Sequence, residues 1–209
     1  ALVLQKAMKQ KGLHAEITNK KPSKQNYILL RLGNVNAALN PEEAYNLKTT
    51  SDKIVLTANT PNGVYNGIQT LLQLMRDNVA VEASEITDWP AFAWRGFMVD
   101  VGRNYQSMKL LKHQIDVMAA YKMNIFHFHP TEDIAWRLQS KLYPQLTNPE
   151  YMLRDKGEYY TENDLKELIA YCKERYITLV PEIDMPGHSA AFKRAMGVDM
   201  QSDEGLVIV

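Results

Sequence analysis

Residues 95–133 constrain the fold more than any other stretch of the chain. Two apolar runs, 96–101 and 124–128, flank a segment in which Leu111, Ile115, Met118 and Ala119 fall at i, i+4, i+7 and i+8, one face of a helix. Strand, helix, strand in that order is a βαβ unit, and its crossover makes the two strands parallel. Each run is followed at once by polar residues: Arg103, Asn104 and Tyr105 after the first, His129, Thr131, Glu132 and Asp133 after the second. Parallel α/β folds gather their chemistry at the C-terminal strand ends, so these are the first candidates for a site.

The same pattern runs on. A long irregular connection over 136–160 holds Pro144 and Pro149, and loops of that length leaving a strand end tend to be functional. Thr161 then caps a helix, with Asp164 in the position that closes a capping box. A third strand follows in I-T-L-V-P-E-I-D, apolar at its start as a strand covered on both faces should be. It ends in a Pro186-Gly187 turn, and Ser202-Asp203 caps a further helix.

Residues 1–88 have another texture. Short β-rich segments are expected at 13–18, 27–32, 44–49 and 53–58. A helix follows from 61, carried by Val64, Ile68, Leu71, Leu72 and Met75. Gly63 and Gly67 lie one turn apart on it, which suits a close helix–sheet contact better than a ligand approach. This half reads as a small α+β domain without a site. Asp88-Trp89-Pro90 marks the boundary, giving domains 1–88 and 89–209. Trp89, Phe92 and Trp94 suit packing at that boundary better than sugar platforms.

Composition narrows the function classes. Lys plus Arg and Asp plus Glu both number 24, so the formal net charge is zero, which argues against a broad nucleic-acid footprint. No apolar run nears the roughly 20 residues that span a membrane. The chain opens at Ala1 and reads as a processed or trimmed product, so the lack of a signal peptide does not set its location. Cys172 is the only cysteine, and its helical neighbours Leu165, Leu168 and Ile169 make it a buried thiol before a nucleophile.

Several polar side chains can carry chemistry. His127 and His129 point to one face of the second strand. With Asp184 and His188 they form a possible metal set, or they are hydrogen-bonded core histidines; both readings stand on composition alone. Glu182 and Asp184 share a face of the third strand, and buried carboxylates need partners. A polar network at the strand ends is therefore expected, with His188 completing it.

R-G-F-M-V-D-V-G-R-N-Y, Y-K-M-N-I-F-H-F-H-P-T-E-D followed by W-R, and P-E-I-D-M-P-G-H together resemble glycoside hydrolase family 20, the β-N-acetylhexosaminidases. The earlier G-V-Y-N-G-I-Q-T-L-L-Q-L resembles the end of that family's small α+β domain. The resemblance implies that small domain followed by a (β/α)8 barrel. It implies that Arg103 holds hydroxyls of the terminal sugar ring, a task that suits a guanidinium's fixed donors. His188 would hydrogen-bond a carboxylate at position 132, where the family usually has Asp and this chain has Glu132; Asp133 is the fallback partner. Asp184 would line the same pocket. The family needs no metal or other cofactor, and the ligands it implies are N-acetylhexosamine-containing glycans, handled in the periplasm or outside the cell. Its mechanism is substrate-assisted and retaining: the sugar's 2-acetamido oxygen attacks C1, an Asp orients that group, and the adjacent Glu acts as acid and then base.

That Asp-Glu pair follows the family's fourth barrel strand. The only comparable pair here, Asp203-Glu204, follows the third and reads as capping charges. Residues 95–209 hold about three βα units, against about 250 residues for a whole barrel. The chain is therefore expected to be the N-terminal part of an enzyme, inactive alone and prone to self-association through its open sheet edges. A non-catalytic sugar-binding barrel and a metal-dependent barrel hydrolase using His127, His129, Asp184 and His188 remain alternatives.

Overall fold

The computed structural model describes residues 1–20, 26–77 and 80–208. The chain divides into two compact units, residues 1–94 with 120–122, and residues 95–119 with 123–209.

The first unit is built on a mixed sheet of β1 (Tyr27–Leu32), β2 (Tyr45–Thr49), β3 (Lys53–Ala58) and β4 (Ser84–Asp88), in the order β1-β3-β2-β4. β1 runs parallel to β3, while β2 is antiparallel to both β3 and β4. Two helices belong to this unit, α1 (Leu2–Gln10) and α2 (Pro61–Leu74). Thr60 caps α2, its hydroxyl accepting from the amides of Asn62 and Gly63, and Pro61 starts the helix where its missing N–H costs nothing. The glycine pair does the packing work expected of it. A Cβ on Gly63 would overlap the Ala44 carbonyl oxygen, and one on Gly67 would overlap the Leu56 side chain. The core comprises Leu4, Tyr45, Leu47, Leu56, Ala58, Ile68, Leu71 and Met75.

One expectation fails here, and two elements were not anticipated. Residues 13–18 form no strand, although Leu13 still packs on the core from irregular chain. α1 was not anticipated; Leu4 and Met8, one turn apart, are the residues that seat it. β4 escaped notice because S-E-I-T-D has one apolar residue. As an edge strand it is held by its backbone ladder and by Asn46 to Thr87 (2.8 Å) and Lys48 to Glu85 (2.8 Å) across the pair. At the boundary, Phe92 and Trp94 are 74% and 67% exposed.

The second unit contains three parallel strands, β5 (Gly96–Asp100), β6 (Ile125–His129) and β7 (Thr178–Pro181), in that order. α3 (Met108–Ala120) follows β5 and buries Leu111, Ile115, Met118 and Ala119, the face its spacing predicts. α4 (Glu162–Lys173) precedes β7 and opens on the full capping box of Thr161 and Asp164. It buries Leu168 and Cys172, and burial pushes the Cys172 thiol up to about 12, which leaves it protonated and unreactive at neutral pH. α5 (Ala190–Met196) packs Phe192 against Leu146 and Met200, which ties down the long connection between β6 and α4. α6 (Asp203–Ile208) carries Asp203 and Glu204 in its first turn, where Ser202 Oγ accepts from the Gly205 amide. Leu206 lies within α6, but its side chain falls outside the described residues.

Register sets the site. Asp100 pairs with His129 across β5 and β6, and Phe128 pairs with Pro181, so Glu182 follows on β7 level with His129. Side chains in register on parallel strands share a face. Asp100, His129 and Glu182 therefore form one polar row at the C-terminal strand ends, while Phe126 and Phe128 bury the opposite face of β6.

Candidate active site

The turn after β5 is shaped by Asp100. Its Oδ1 accepts from the Arg103 amide at 2.9 Å and its Oδ2 meets Arg103 Nη1 at 2.5 Å. The same carboxylate thus bends the backbone and aims the guanidinium, and its hydrogen bond raises the Arg103 pKa further above neutrality. Gly102 is needed at this bend because a Cβ there would stand 2.5 Å from Glu132 Cβ.

Glu132 is the centre of the cluster. It is 2% exposed, and its Oε1 lies 2.5 Å from Arg103 Nη2 and 2.5 Å from His188 Nδ1. Both are ion-pair approaches, and Oε1 has no aligned hydrogen-bond partner among the described residues. Arg103 Nη2 also lies within hydrogen-bond distance of His188 Nδ1, at 3.4 Å. The extra methylene of Glu132 does not break the pairing with His188. The fallback carboxylate, Asp133, stands 3.9 Å from His188 and is turned to the start of α5, accepting from the Ala190 amide at 2.9 Å. His188 adopts a left-handed backbone, φ 49°, a conformation that costs a non-glycine residue about 1–3 kcal/mol and recurs at functional sites. Its other nitrogen, Nε2, faces Asp184 Oδ2 at 4.0 Å, and Asp184 is fixed by its amide donating to Thr131 Oγ1 at 3.2 Å.

Below this cluster lies a second one. His127 Nε2 meets Glu182 Oε2 directly, and His129 Nδ1 lies 3.2 Å from the same oxygen. Partial burial acts to raise the Glu182 carboxyl, but the two imidazoles outweigh it and hold the group below the usual carboxylate range. Among the described residues, three sets of side chains could approach a cation: Asp100, His129 and Glu132; His129, Glu182 and Asp184; Glu132, Asp133 and His188.

One residue that sequence reasoning gave no role proves central. Arg137, the Arg of the W-R pair, is fully buried. Its guanidinium donates to the carbonyls of Gly102 (3.3 Å), Asp155 (3.2 Å), Glu158 (2.8 Å) and Arg154 (3.1 Å), with Asp155 Oδ2 at 3.5 Å. It fastens the turn after β5 to the loop before α4. Burial lowers its pKa, but the start is so high that the charge remains. Periodicity could not find it, since a lone Arg in a loop has no pattern.

Parallel βα units with polar side chains meeting at the C-terminal strand ends are the arrangement with which a (β/α)8 barrel opens. Comparison with known proteins specifies which. Residues 92–204 match the model of glycosyl hydrolase family 20, catalytic domain, and residues 1–89 match that family's domain 2. The chain belongs to glycosyl hydrolase family 20. It is 39% identical over 166 residues to a β-hexosaminidase of Porphyromonas gingivalis, covering 72% of this chain and 21% of that protein. To a β-hexosaminidase of Vibrio furnissii it is 40% identical over 172 residues, covering 74% of this chain and 28% of the relative. Among solved structures, the exo-β-N-acetylglucosaminidase of Vibrio harveyi in complex with N-acetylglucosamine superposes with a TM-score of 0.80 at 28% identity, over 96% of this chain and 34% of that one. The chain thus spans between a fifth and about a third of the length of these proteins.

Proposed function

We propose that this chain is the N-terminal part of an exo-acting β-N-acetylhexosaminidase that removes terminal N-acetylhexosamine from glycans by substrate-assisted, retaining hydrolysis. The observation that carries the reading is Glu132 Oε1, which gathers Arg103 and His188 at 2.5 Å each and so joins groups from three strand ends. In this reading Arg103 binds hydroxyls of the terminal ring with the donors not engaged by Asp100 and Glu132. His188, fixed by Glu132, presents Nε2 towards Asp184 and sets the field in which the general acid works. Asp184 lines the pocket, and Asp133 positions α5 beside it.

The Asp that orients the acetamido group and the Glu that protonates the leaving oxygen lie outside residues 1–209. Asp203 and Glu204 do not substitute for them, because they sit in the first turn of α6 as helix N-terminal charges. The chain alone is therefore inactive. With β5 and β7 as the outer strands of its sheet, and Phe97, Met98 and Ile183 44%, 50% and 44% exposed, it self-associates in solution.

The test is an assay on an aryl N-acetyl-β-glucosaminide. The 209-residue chain should give no turnover, while the product of the longer reading frame should turn over and lose activity on Arg103→Ala. Turnover by the short chain that Arg103→Ala abolishes would place the acid inside it and overturn that part of the reading. A reading frame without an Asp-Glu pair after the next strand would remove the hexosaminidase reading altogether.

A further inference from the structure

The geometry points to Arg137 as a positioning residue for Arg103, acting through a splint, residues 154–158, that lies against the turn after β5. The inference rests on the reading of Arg103 as a ligand for the terminal sugar. Every residue of the turn 102–105 is gripped. Arg137 Nε holds the Gly102 carbonyl, and Asp100 holds the Arg103 amide. Arg154 Nη1 donates to Asn104 Oδ1 at 2.7 Å and to the Arg103 carbonyl at 3.4 Å. Asp155 Oδ2 accepts from the Tyr105 amide at 2.9 Å.

The grips from Arg154 and Asp155 depend in turn on Arg137. Its Nη2 holds the Arg154 carbonyl, and its Nη1 holds those of Asp155 and Glu158. One planar guanidinium therefore sets the splint and the turn at a fixed separation, because its donors have fixed directions. The Tyr105 ring lies beside the same group, its centroid 5.8 Å from Arg137 Cζ and 5.1 Å from the ring centroid of Tyr160.

Arg137 also belongs to the segment that carries Glu132. Its amide donates to the Pro130 carbonyl at 2.9 Å, the Glu132 amide donates to the Ala135 carbonyl at 3.1 Å, and Thr131 bridges to Trp136 between them. The Arg103 turn is thus referred to the hairpin whose carboxylate meets the Arg103 side chain. Burying a guanidinium is costly, and an apolar side chain could fill the volume; what the guanidinium adds is direction. Direction matters at this turn because a misplacement of about 1 Å in a substrate-positioning group can cost about 100-fold in rate. Arg137 is fully buried, so it acts through the turn and not on the sugar.

The experiment has two arms. Hydrogen–deuterium exchange of the 209-residue chain, read by mass spectrometry, tests the splint without any activity. Asp155→Ala, at an exposed position, and Arg137→Lys, each shown folded by circular dichroism, should speed exchange over residues 102–106 at least about tenfold and leave the buried turns of α3 unchanged. Steady-state kinetics of the longer gene product on the aryl N-acetyl-β-glucosaminide form the second arm. Asp155→Ala should raise KM at least about fivefold and lower kcat by less, the mark of a weakened hold on the sugar. Asp155→Asn, which keeps an acceptor for the Tyr105 amide, should restore both exchange and KM. Unchanged exchange at 102–106 in both Asp155→Ala and Arg137→Lys would overturn the proposal, and so would faster exchange with KM unmoved. A longer product inactive before any substitution would instead remove the reading of Arg103 itself, and the positioning role with it, whatever the exchange shows.

Discussion

The two units handle buried polar groups in opposite ways. In the first, several such groups are paired with neighbours within the same unit. Thr49 Oγ1 donates to the Glu82 carbonyl at 2.6 Å and accepts from the Ser84 amide at 2.8 Å. Thr57 accepts from Arg31 at 2.9 Å, and Asn66 donates to the buried Glu43 at 3.0 Å. In the second unit, buried Glu132 is shared by two cationic or polar partners from other strand ends, and buried His129 shares Glu182 with His127. Local pairs stabilise a fold, whereas groups converging from several strand ends leave capacity for a ligand. The same chemical types are structural in one unit and candidates for function in the other.

The largest effect that tests this contrast concerns Arg137. It is as deeply buried as any structural group, yet it holds the two loops that carry the site. Arg137→Met would strand four carbonyls and uncouple those loops, so the second unit should lose about 3–5 kcal/mol of stability. Urea unfolding followed by the near-ultraviolet signal of the tyrosines should show the loss. A change below about 1 kcal/mol would mean that the carbonyls find water and that Arg137 is not the fastening point.

A smaller effect is expected from His188→Ala in the longer gene product. If Glu132 and His188 act on the general acid, kcat should fall about 100-fold, near 2.7 kcal/mol of transition-state stabilisation, with KM changed far less. His188→Gln should recover little, since it cannot reproduce both ring contacts. An unchanged kcat with a raised KM would make His188 a sugar-binding residue and move it out of the acid's network.

How much of this was legible in the sequence follows from the physics of each element. The buried face of α3, the capping box of α4 and the strands β5 to β7 rest on periodicity and capping, which are local and written in neighbouring residues. Arg103, Glu132 and His188 could be named as candidates from their strand-end positions and the family motifs. What joins them could not: the shared Glu132 oxygen depends on rotamers of residues up to 85 positions apart. β4 was illegible because its stability comes from the partner strand, and α1 because two core contacts, not a long apolar stripe, hold it. Arg137 shows the general limit. Its partners are backbone carbonyls, which every residue possesses, so nothing in the sequence marks them.

The smallest predicted effect lies on the other side of the comparison. Asn66 and Glu43 are 4% and 5% exposed, so their 3.0 Å bond is out of water. Asn66→Ala removes a donor from a buried carboxylate and opens a space the size of an amide. Hydrogen bonds to charged groups contribute about 1.5–3 kcal/mol, and relaxation around a mid-helix alanine, which favours the helix, offsets part of the loss. A net destabilisation of about 1–2 kcal/mol is expected in the first unit, read as a lower urea midpoint for its secondary-structure signal. The same change in the longer gene product should leave kcat and KM within about twofold, because neither residue belongs to the strand-end cluster. A loss of kcat at unchanged stability would show that Glu43 and Asn66 communicate with the strand-end cluster, and the division between structural and functional polar groups would fail.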